Sequence, residues 1–169
     1  MDISIIICTY NRANLLKFTL EALLRQSLPP EKFEVIIVDD SSVDDTFNVY
    51  SKFKIKFSNV TYLYNSFNIG LPLSRNRGIE VAAGEHVLFT DDDCIPSEKW
   101  VETMSFYLHK NPVVGGSVET PLLNYLQLSF ICIRISCLYT CRRNKTCKDD
   151  CWRKYGISKG CFKRTGWFF

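Results

Sequence analysis

Three consecutive aspartates, Asp91, Asp92 and Asp93, are the residues whose type and spacing most clearly suggest chemistry. Adjacent carboxylates repel one another, and their pKa values rise unless a cation compensates the charge. A divalent ion with oxygen ligands, such as Mn²⁺ or Mg²⁺, would do so and would keep coordination positions for phosphate oxygens. The triplet therefore predicts a metal and phosphate site, and the alternative is a solvated acidic turn before a helix start at Ser97.

A second acidic pair, Asp39 and Asp40, directly follows the apolar run Phe33–Val38. Such a pair usually marks a turn and a helix start, and Asp44 and Asp45 favour the positive end of the next helix. At the end of a strand, however, the pair would offer hydrogen-bond acceptors for a base and a ribose beside a metal-bound diphosphate. We expect Asp39 and Asp40 to line the same site as the triplet.

Two arginines, Arg75 and Arg77, lie near the start of a helix that Pro72 opens. A helix start presents unpaired backbone N–H groups, and the guanidinium of Arg75 adds a fork suited to phosphate oxygens. A surface ion pair is the alternative, and it is nearly as strong an explanation for Arg77. His86 falls in a strand and His109 near a helix end, so we assign neither histidine to catalysis.

The elements that must position these residues alternate through the first two thirds of the chain. Strand-like apolar runs are Ile3–Cys8, Phe33–Val38, Val60–Tyr64, His86–Thr90 and Val113–Val118. Helical signals are the leucines from Leu16 to Leu24, the aromatics from Phe47 to Phe57, the segment from Pro72 to Ala83 and the segment from Ser97 to Asn111. Apolar strands separated by helices predict an α/β fold with a mainly parallel sheet and helices on both faces. Ligands of such sheets bind beyond the carboxyl ends of the strands, where the polar residues fall.

Composition and absent motifs narrow the function classes. Hydrophobic residues make up 46% and charged residues 23% of the sequence, as in ordinary globular domains, and a net charge of +3 does not argue for nucleic acid. No GxGxxG follows the first strand and no GxxxxGK[ST] occurs, which disfavours a dinucleotide fold and a P-loop. A basic cluster is interpreted as a solvated face or as a weak attraction to anionic lipid, hence to a membrane surface; its members are Arg142, Arg143, Lys145 and Lys148.

After Glu119 the alternation is lost and cysteines accumulate. Six of the eight cysteines fall late in the chain, at Cys132, Cys137, Cys141, Cys147, Cys151 and Cys161. Spacings of four residues would allow a zinc site or disulfides, but the usual CxxC pattern is missing. We favour reduced thiols without bound metal.

The start of the chain and one apolar stretch bear on location. Met1 and Asp2 lead straight into Ile3–Ile7, without a basic leader or a small-residue cleavage site, which predicts a cytoplasmic protein. The stretch Leu122–Cys141 is interrupted by polar residues, among them Arg134, so we expect a buried or interfacial segment and not a membrane span.

Four sequence blocks, in order and spacing, resemble the signature of the family-two glycosyltransferases of the GT-A fold. The blocks are Ser4–Arg12, Val35–Ser42, Asn68–Gly70 with Ser74–Ile79, and Ala83–Glu85 with Leu88–Asp93. The resemblance extends from Ile3 to about Val118 and implies a GT-A, Rossmann-like sheet.

The resemblance also implies an activity and a set of residues. Sugar would pass with inversion from a nucleoside diphosphate sugar to a hydroxyl of a glycan, lipid-linked or protein acceptor, with Mn²⁺ or Mg²⁺ as cofactor. The donor-binding residues implied are Thr9, Tyr10, Asp39, Asp40, Arg75, Asp91 and Asp92, and the metal ligands are Asp91 and Asp93. By motif position, Asp40 would contact the base with Asp39 beside it, and Thr9 and Tyr10 would wall the nucleotide pocket.

The acceptor side is matched faintly, over residues 156–169. The family's general base normally follows the turn found there, and the chain ends first, so we expect a C-terminally shortened protein that binds its donor but transfers slowly. We leave the base unassigned among Glu119, Asp149 and Asp150. The expected division is a nucleotide-sugar-binding core at 1–118 and an incomplete acceptor region at 119–169. The alternatives are a nucleotidyltransferase and a binding fragment without turnover.

Overall fold

The computed structural model describes residues 1–117 and 140–142. The strands are β1 (Ile3–Thr9), β2 (Phe33–Asp39), β3 (Val60–Tyr64), β4 (His86–Asp91), β5 (Val113–Val114) and β6 (Thr140–Arg142). The helices are α1 (Ala13–Leu23), α2 (Thr46–Lys54), α3 (Leu71–Val81) and α4 (Trp100–Leu108), with a 3-10 turn at Pro30–Lys32.

The strands form one sheet in the order β3-β2-β1-β4-β6-β5. Neighbouring strands among the first four pair in parallel, and β6 runs antiparallel to both β4 and β5. The predicted α/β class with a mainly parallel sheet is confirmed. Continuous apolar runs form the central strands because both faces of the sheet are covered by helices.

Alternate side chains of β1 feed two separate layers of the core. Ile3, Ile5 and Ile7 pack with the buried faces of α1, α2 and α4, whereas Ile6 packs on the opposite face with residues of β2, β4 and α3. Complete burial of each such side chain contributes about 1.5–3 kcal/mol relative to exposure. The two layers hold β1 at the centre of the sheet, so the end of β1 is a rigid mount for the polar residues that follow.

Helix α3 approaches the sheet closely because of a glycine. A methyl carbon built at Gly78 would lie only 2.6 Å from Cγ2 of Ile6, a separation that real side chains do not adopt. Gly78 therefore lets α3 pack closely against β1 and β2, and this contact sets the distance between α3 and the sheet.

Helix boundaries differ from the sequence prediction because distant side chains act as caps. Ser97 was predicted to cap α4, but α4 begins at Trp100, and Oε1 of Gln26 accepts the Val101 amide at 3.0 Å. Similarly, Arg12 at the N-terminal boundary of α1 makes no side-chain cap, and a carboxylate oxygen of Asp44 accepts the Ala13 amide at 2.9 Å. These caps come from residues 75 and 31 positions away.

The later predictions are only partly covered by the described residues. Strand β5 is limited to Val113–Val114, shorter than the run predicted from Val113 to Val118. Within residues 1–117 and 140–142, no helix has the length and apolar character needed to cross a membrane. Apart from the backbone of residues 140–142, the predictions for the cysteine cluster, the basic cluster and the stretch 122–141 lie outside the described residues.

Candidate functional site

The carboxyl ends of β1, β2 and β4 meet at one edge of the sheet, which we call the site edge. Thr9 lies opposite Asp39 in the β1–β2 pairing, and Cys8 lies opposite Asp91 in the β1–β4 pairing. Backbone bonds continue past the strands, with the Asp40 amide donating to the Thr9 carbonyl at 2.9 Å. The sequence prediction that both acidic groups lie at one edge is therefore met in the fold.

Two arginines contact the acid triplet at the site edge. Nη1 of Arg12 lies 3.2 Å from Oδ1 of Asp92 and 3.3 Å from Oδ2 of Asp93. Nη2 of Arg75 lies 3.2 Å from Oδ1 of Asp91. Asp92 is only 4% exposed, and burial raises the pKa of its carboxyl despite the hydrogen bond from Arg12. The two arginines thus offset part of the negative charge that the three adjacent carboxylates bring to the end of β4.

The donor atoms around the triplet suit a hard divalent ion. Asp91, Asp93 and Cys94 each present one ligand atom, and the three atoms lie within 4.8 Å of one another. Carboxylate oxygens are the ligands that Mn²⁺ and Mg²⁺ prefer, and two protein carboxylates would leave positions for diphosphate oxygens. Burial, together with the charges of Asp91 and Asp93, raises the pKa of the Cys94 thiol, and a soft sulfur ligand is poorly suited to a hard ion such as Mn²⁺ or Mg²⁺. The two carboxylates are therefore the candidate ligands.

Asp39 is buried and committed to contacts within the protein. It is 1% exposed, Oδ1 accepts the Ser42 amide at 2.7 Å, and Oδ2 accepts the hydroxyl of Tyr62. Burial and this hydrogen bond raise the pKa of Tyr62, so its hydroxyl stays a donor to Asp39. The Tyr62 ring stacks on Tyr50 at a centroid distance of 4.6 Å, which fixes the direction of that donor.

Asp40 accepts more hydrogen bonds from the protein than Asp39 does. Its Oδ1 accepts the Asn65 amide group at 2.6 Å and the Ile69 backbone amide at 2.9 Å, and its Oδ2 accepts the Gly70 amide at 2.8 Å. Burial acts to raise the pKa of Asp40, but the hydrogen bonds outweigh it and the pKa lies below its ordinary value. Asp40 is therefore ionised and surrounded by donors at neutral pH.

The loops after β1 and β2 clasp each other in a strained conformation. Asn11 has φ +53° and Ser41 has φ +72°; asparagine adopts such left-handed values more readily than serine does, so the strain lies mainly at Ser41. The Asn11 amide donates to Oγ of Ser42 at 2.9 Å, and Oδ1 of Asn11 accepts the Val43 amide at 2.8 Å. Backbone strain of this kind clusters at functional sites.

The other predicted residues lie at the same edge. Thr9 is buried, whereas Tyr10 is 47% exposed and offers its ring to the solvent side of the edge. Arg77 turns away from the triplet, because its Nη1 donates to the Tyr64 carbonyl at 3.2 Å and to Oδ1 of Asn65. The described residues bring together all the predicted donor and metal residues, and their roles in binding stay predictions.

Three contributors were not singled out from the sequence. Arg12 lies 80 residues from Asp92, and no spacing rule connects them. In the sequence, Tyr62 looks like an ordinary strand residue, and Asn65 looks like a polar residue that follows β3. The sequence does place both Arg12 and Asn65 among the polar residues beyond predicted strands, Asn65 directly after Val60–Tyr64 and Arg12 four residues after Ile3–Cys8, but it gives neither of them a role.

Comparisons with known proteins agree with this geometry. Residues 4–127 match the family described as Glycosyl transferase family 2. The chain is 39% identical over 108 residues to a poly(ribitol-phosphate) beta-glucosyltransferase of Bacillus spizizenii, a match covering 63% of this chain and 17% of that protein.

Two solved structures are similar in fold. S. aureus TarS 1-349 in complex with UDP-GlcNAc has a TM-score of 0.67 and 26% identity, covering 84% of this chain and 45% of that chain. The mannosyltransferase PcManGT from Pyrobaculum calidifontis, in complex with GDP-Man and Mn²⁺, has a TM-score of 0.60 and 27% identity, covering 70% of this chain and 36% of that chain.

The matched part is large for this chain and small for its relatives. The chain spans less than half the length of each of these three proteins. The family match, by contrast, covers well over half of this chain and includes every predicted donor and metal residue. On that match, and with the sheet and site edge as described, the chain belongs to glycosyl transferase family 2.

Proposed function

We propose that this chain forms the donor-binding part of an enzyme that transfers a sugar, with inversion, from a nucleoside diphosphate sugar to an acceptor hydroxyl. The observation that carries the proposal is the meeting of Asp91, Asp93 and Arg75 at the site edge, beside the buried pair Asp39 and Asp40. Two carboxylates and a guanidinium in one place match the needs of a metal diphosphate. Similar structures in complex with UDP-GlcNAc and with GDP-Man and Mn²⁺ support the same ligand class.

Asp91 and Asp93 would hold the Mn²⁺ or Mg²⁺ ion, which stabilises negative charge on the diphosphate leaving group when bound. Arg75 lies beside Asp91 in the second turn of α3 and would bind a diphosphate oxygen through its guanidinium. Asp92 pairs with Arg12 at 3.2 Å and would anchor the segment that carries Asp91 and Asp93. Each of these side chains acts by placing charge before the reaction begins, and such preorganisation is a large part of enzymatic rate enhancement.

The nucleoside would lie between the β1 and β2 loops. Thr9 and Tyr10 would wall this pocket, and the exposed Tyr10 ring offers an apolar surface to a base or sugar. The clasp between Asn11 and Ser42 fixes the distance between the two loops. Rigid walls reduce the entropy lost when a nucleotide is bound.

The acceptor half is proposed to come from the later residues. We propose a division near residue 118, with the donor core before it and acceptor contacts after it. The candidate bases Glu119, Asp149 and Asp150 lie outside the described residues. An inverting transfer needs a carboxylate within hydrogen-bond reach of the acceptor hydroxyl, and such a base contributes ~10²–10⁴-fold to the rate.

Calorimetry with and without Mn²⁺ tests donor binding, using UDP and GDP as probes and then their sugar conjugates. We expect binding of at least one nucleoside diphosphate that strengthens with Mn²⁺. Product analysis separates the reaction classes, because sugar transfer releases a nucleoside diphosphate and nucleotidyl transfer releases pyrophosphate. Pyrophosphate as the product, or affinity indifferent to Mn²⁺, would overturn the proposal.

A further inference from the structure

The buried face of helix α1 carries one hydroxyl group among apolar side chains. Leu16, Leu20 and Leu23 are fully buried on this face, and Thr19 is fully buried beside them. A buried hydroxyl needs a hydrogen-bond partner, and a threonine inside a helix commonly uses a carbonyl three or four residues earlier in the same helix. The hydroxyl of Thr19 instead donates to carbonyls outside α1.

The partners of Thr19 lie in and beside the acid triplet. Its Oγ1 is 2.8 Å from the carbonyl oxygen of Asp92 and 2.7 Å from that of Cys94, so the two oxygens share one proton. These carbonyls belong to the residues on either side of Asp93, a candidate metal ligand. The Cys94 amide donates to the Asp91 carbonyl at 3.3 Å and closes a turn from Asp91 to Cys94, which we call the triplet turn. Thr19 therefore holds the backbone of this turn on both sides of Asp93.

A second side chain from the same helix holds the carboxylates of the triplet turn. Arg12 lies at the N-terminal boundary of α1 and contacts Asp92 at 3.2 Å and Asp93 at 3.3 Å. Arg12 and Thr19 are seven positions apart, about two helical turns, so both lie toward the same side of α1. One helix thus holds the backbone of the triplet turn through Thr19 and its side chains through Arg12.

The chain beyond the triplet turn is attached to the other end of α1. Gln26, three residues after the last residue of α1, donates to the Ser97 carbonyl at 2.8 Å and accepts the Val101 amide at 3.0 Å. The leucines of α1 belong to the same core layer as the isoleucines of β1, so the helix is a rigid support. The triplet turn is therefore held against a fixed helix on one side and follows a central strand of the sheet on the other.

We infer that Thr19 is a positioning residue for the proposed metal site, because its hydroxyl holds the triplet turn so that the carboxylate of Asp93 stays beside that of Asp91. The inference rests on the proposed roles of Asp91 and Asp93 as metal ligands. The attachment of the triplet turn to α1 does not depend on those roles. Residues that orient metal ligands from outside the first layer commonly contribute about 10- to 100-fold to metal affinity.

Two substitutions separate the hydroxyl of Thr19 from its bulk. Thr19→Val keeps the size but places a methyl carbon where Oγ1 lies, 2.7–2.8 Å from two carbonyl oxygens. Even a C–H···O contact needs roughly 3.3–3.6 Å between carbon and oxygen, so the triplet turn must move away. Thr19→Ser keeps the hydroxyl and loses a buried methyl group, so it lowers stability but leaves the turn attached.

Binding of Mn²⁺ alone, measured through the electron paramagnetic resonance signal of the free ion, tests the positioning role. We expect Thr19→Val to weaken Mn²⁺ binding by roughly three- to tenfold and Thr19→Ser to stay within about twofold of the wild type. The affinities of UDP and GDP without Mn²⁺ should be the same in all three chains, because other residues wall the proposed nucleoside pocket. Wild-type Mn²⁺ affinity in folded Thr19→Val, or an equal loss in Thr19→Ser, would overturn the inference.

The control for a general loss of stability is Leu23→Val, on the same buried face of α1. This substitution removes a buried methylene group and no side-chain hydrogen bond. It should lower stability in urea and leave Mn²⁺ affinity at the wild-type value. A positioning role requires metal affinity to follow the presence of the Thr19 hydroxyl, and a purely structural role requires it to follow stability. A loss of Mn²⁺ affinity in Leu23→Val as large as that in Thr19→Val would therefore contradict the inference.

Hydrogen exchange at the Cys94 amide, measured by NMR, tests the attachment without any ligand. Release of the triplet turn in Thr19→Val should speed this exchange by roughly tenfold relative to both the wild type and Leu23→Val. If the wild-type chain binds Mn²⁺ neither alone nor with UDP or GDP, the proposed metal site fails, and the exchange rate still decides whether Thr19 holds the turn. Unchanged exchange would overturn that attachment. If Thr19→Val does not fold, Thr19→Ala replaces it under the same criteria, since it removes the hydroxyl without adding the methyl contact.

Discussion

The two ends of the parallel strands bury polar groups in very different ways. At the amino ends, which we call the amino edge, one carboxylate is buried. This carboxylate, Glu34, accepts the Ser4 hydroxyl at 2.6 Å and the Ala83 amide at 2.7 Å. The Gly84 amide completes the arrangement by donating to Oγ of Ser4 at 2.8 Å. One charge meets neutral donors, and the chain conformation there is unstrained.

At the site edge, by contrast, charge is concentrated beyond what structure requires. Asp39 and Asp40 accept hydrogen bonds from neighbouring neutral donors, whereas the triplet relies on Arg12 and Arg75 across long sequence distances. Two residues adopt left-handed backbone conformations beside it. The comparison teaches that burial of a carboxylate alone does not mark function. A concentration of charge that is only partly compensated, together with backbone strain, is the better indicator.

The largest expected effect is on ligand binding at the site edge. Asp93→Asn removes a candidate metal ligand and should weaken Mn²⁺-dependent binding of a nucleoside diphosphate by roughly 30-fold, about 2 kcal/mol. The fold should persist, because the Asp93 side chain is 34% exposed. Calorimetry of the variant with and without Mn²⁺ measures this loss.

The matched control is Asp2→Asn, the same substitution at the amino edge, where the side chain is 54% exposed. It should leave nucleotide affinity unchanged. Equal affinities in wild type and Asp93→Asn, with and without Mn²⁺, would remove the triplet from the binding site.

The next largest effect is on the stability of the fold, through the amino edge. Glu34→Ala leaves the Ser4 hydroxyl and the Ala83 amide without their acceptor and should lower the free energy of unfolding by about 1–3 kcal/mol. Glu34→Gln keeps an acceptor oxygen and should lose less. Urea denaturation measures both variants, and nucleotide affinity under folding conditions should stay at the wild-type value. A loss of nucleotide affinity in folded Glu34→Gln would contradict the view that the amino edge supports stability and only the site edge binds the ligand.

How far the sequence predicts these edges depends on the type of signal. The first four strands were predictable because each is a largely apolar run, as in Ile3–Cys8, and the triplet because its three carboxylates are adjacent. Strand β6 (Thr140–Arg142) was not predicted, because its three residues form no apolar run. Backbone donors leave no such trace: nothing in the residue types at Ile69 and Gly70 announces that both amides point at Asp40. The Gln26 cap of α4 was hidden for a related reason, since Ser97 is the better local candidate and tertiary packing decided otherwise.

A smaller effect tests whether strain belongs to the site edge. Ser41 has φ +72°, which costs a residue with a Cβ about 1–2 kcal/mol, whereas glycine adopts it freely. Ser41→Gly should raise the free energy of unfolding by up to about 1 kcal/mol, after the entropy that glycine adds to the unfolded chain is subtracted. Ser66→Gly is the control, since Ser66 is exposed and is not a positive-φ residue, and it should be neutral or destabilising. Destabilisation by Ser41→Gly in urea melts would show that the site edge stores no strain there.

The smallest effect concerns Asp44, a carboxylate at the site edge that accepts hydrogen bonds from neutral donors, as Glu34 does at the amino edge. Burial acts to raise its pKa, but hydrogen bonds from Thr46 and from the Ala13 amide prevail and hold the pKa below its ordinary value. A carboxyl whose pKa is lower in the folded chain stabilises the fold above the ordinary value of about 3.9. That stabilisation is lost as the pH falls through the folded-state pKa. The Asp44→Asn variant should therefore be less stable than wild type at neutral pH, and the difference should shrink as the solution is acidified below about pH 4. Thermal melts of both chains across this range measure it, with Asp45→Asn as the neighbour whose difference from wild type should not follow the same course. A gap between Asp44→Asn and wild type that is constant with pH would show that Asp44 contributes as a neutral cap, and that charge at the site edge is confined to the triplet and to Asp39 and Asp40.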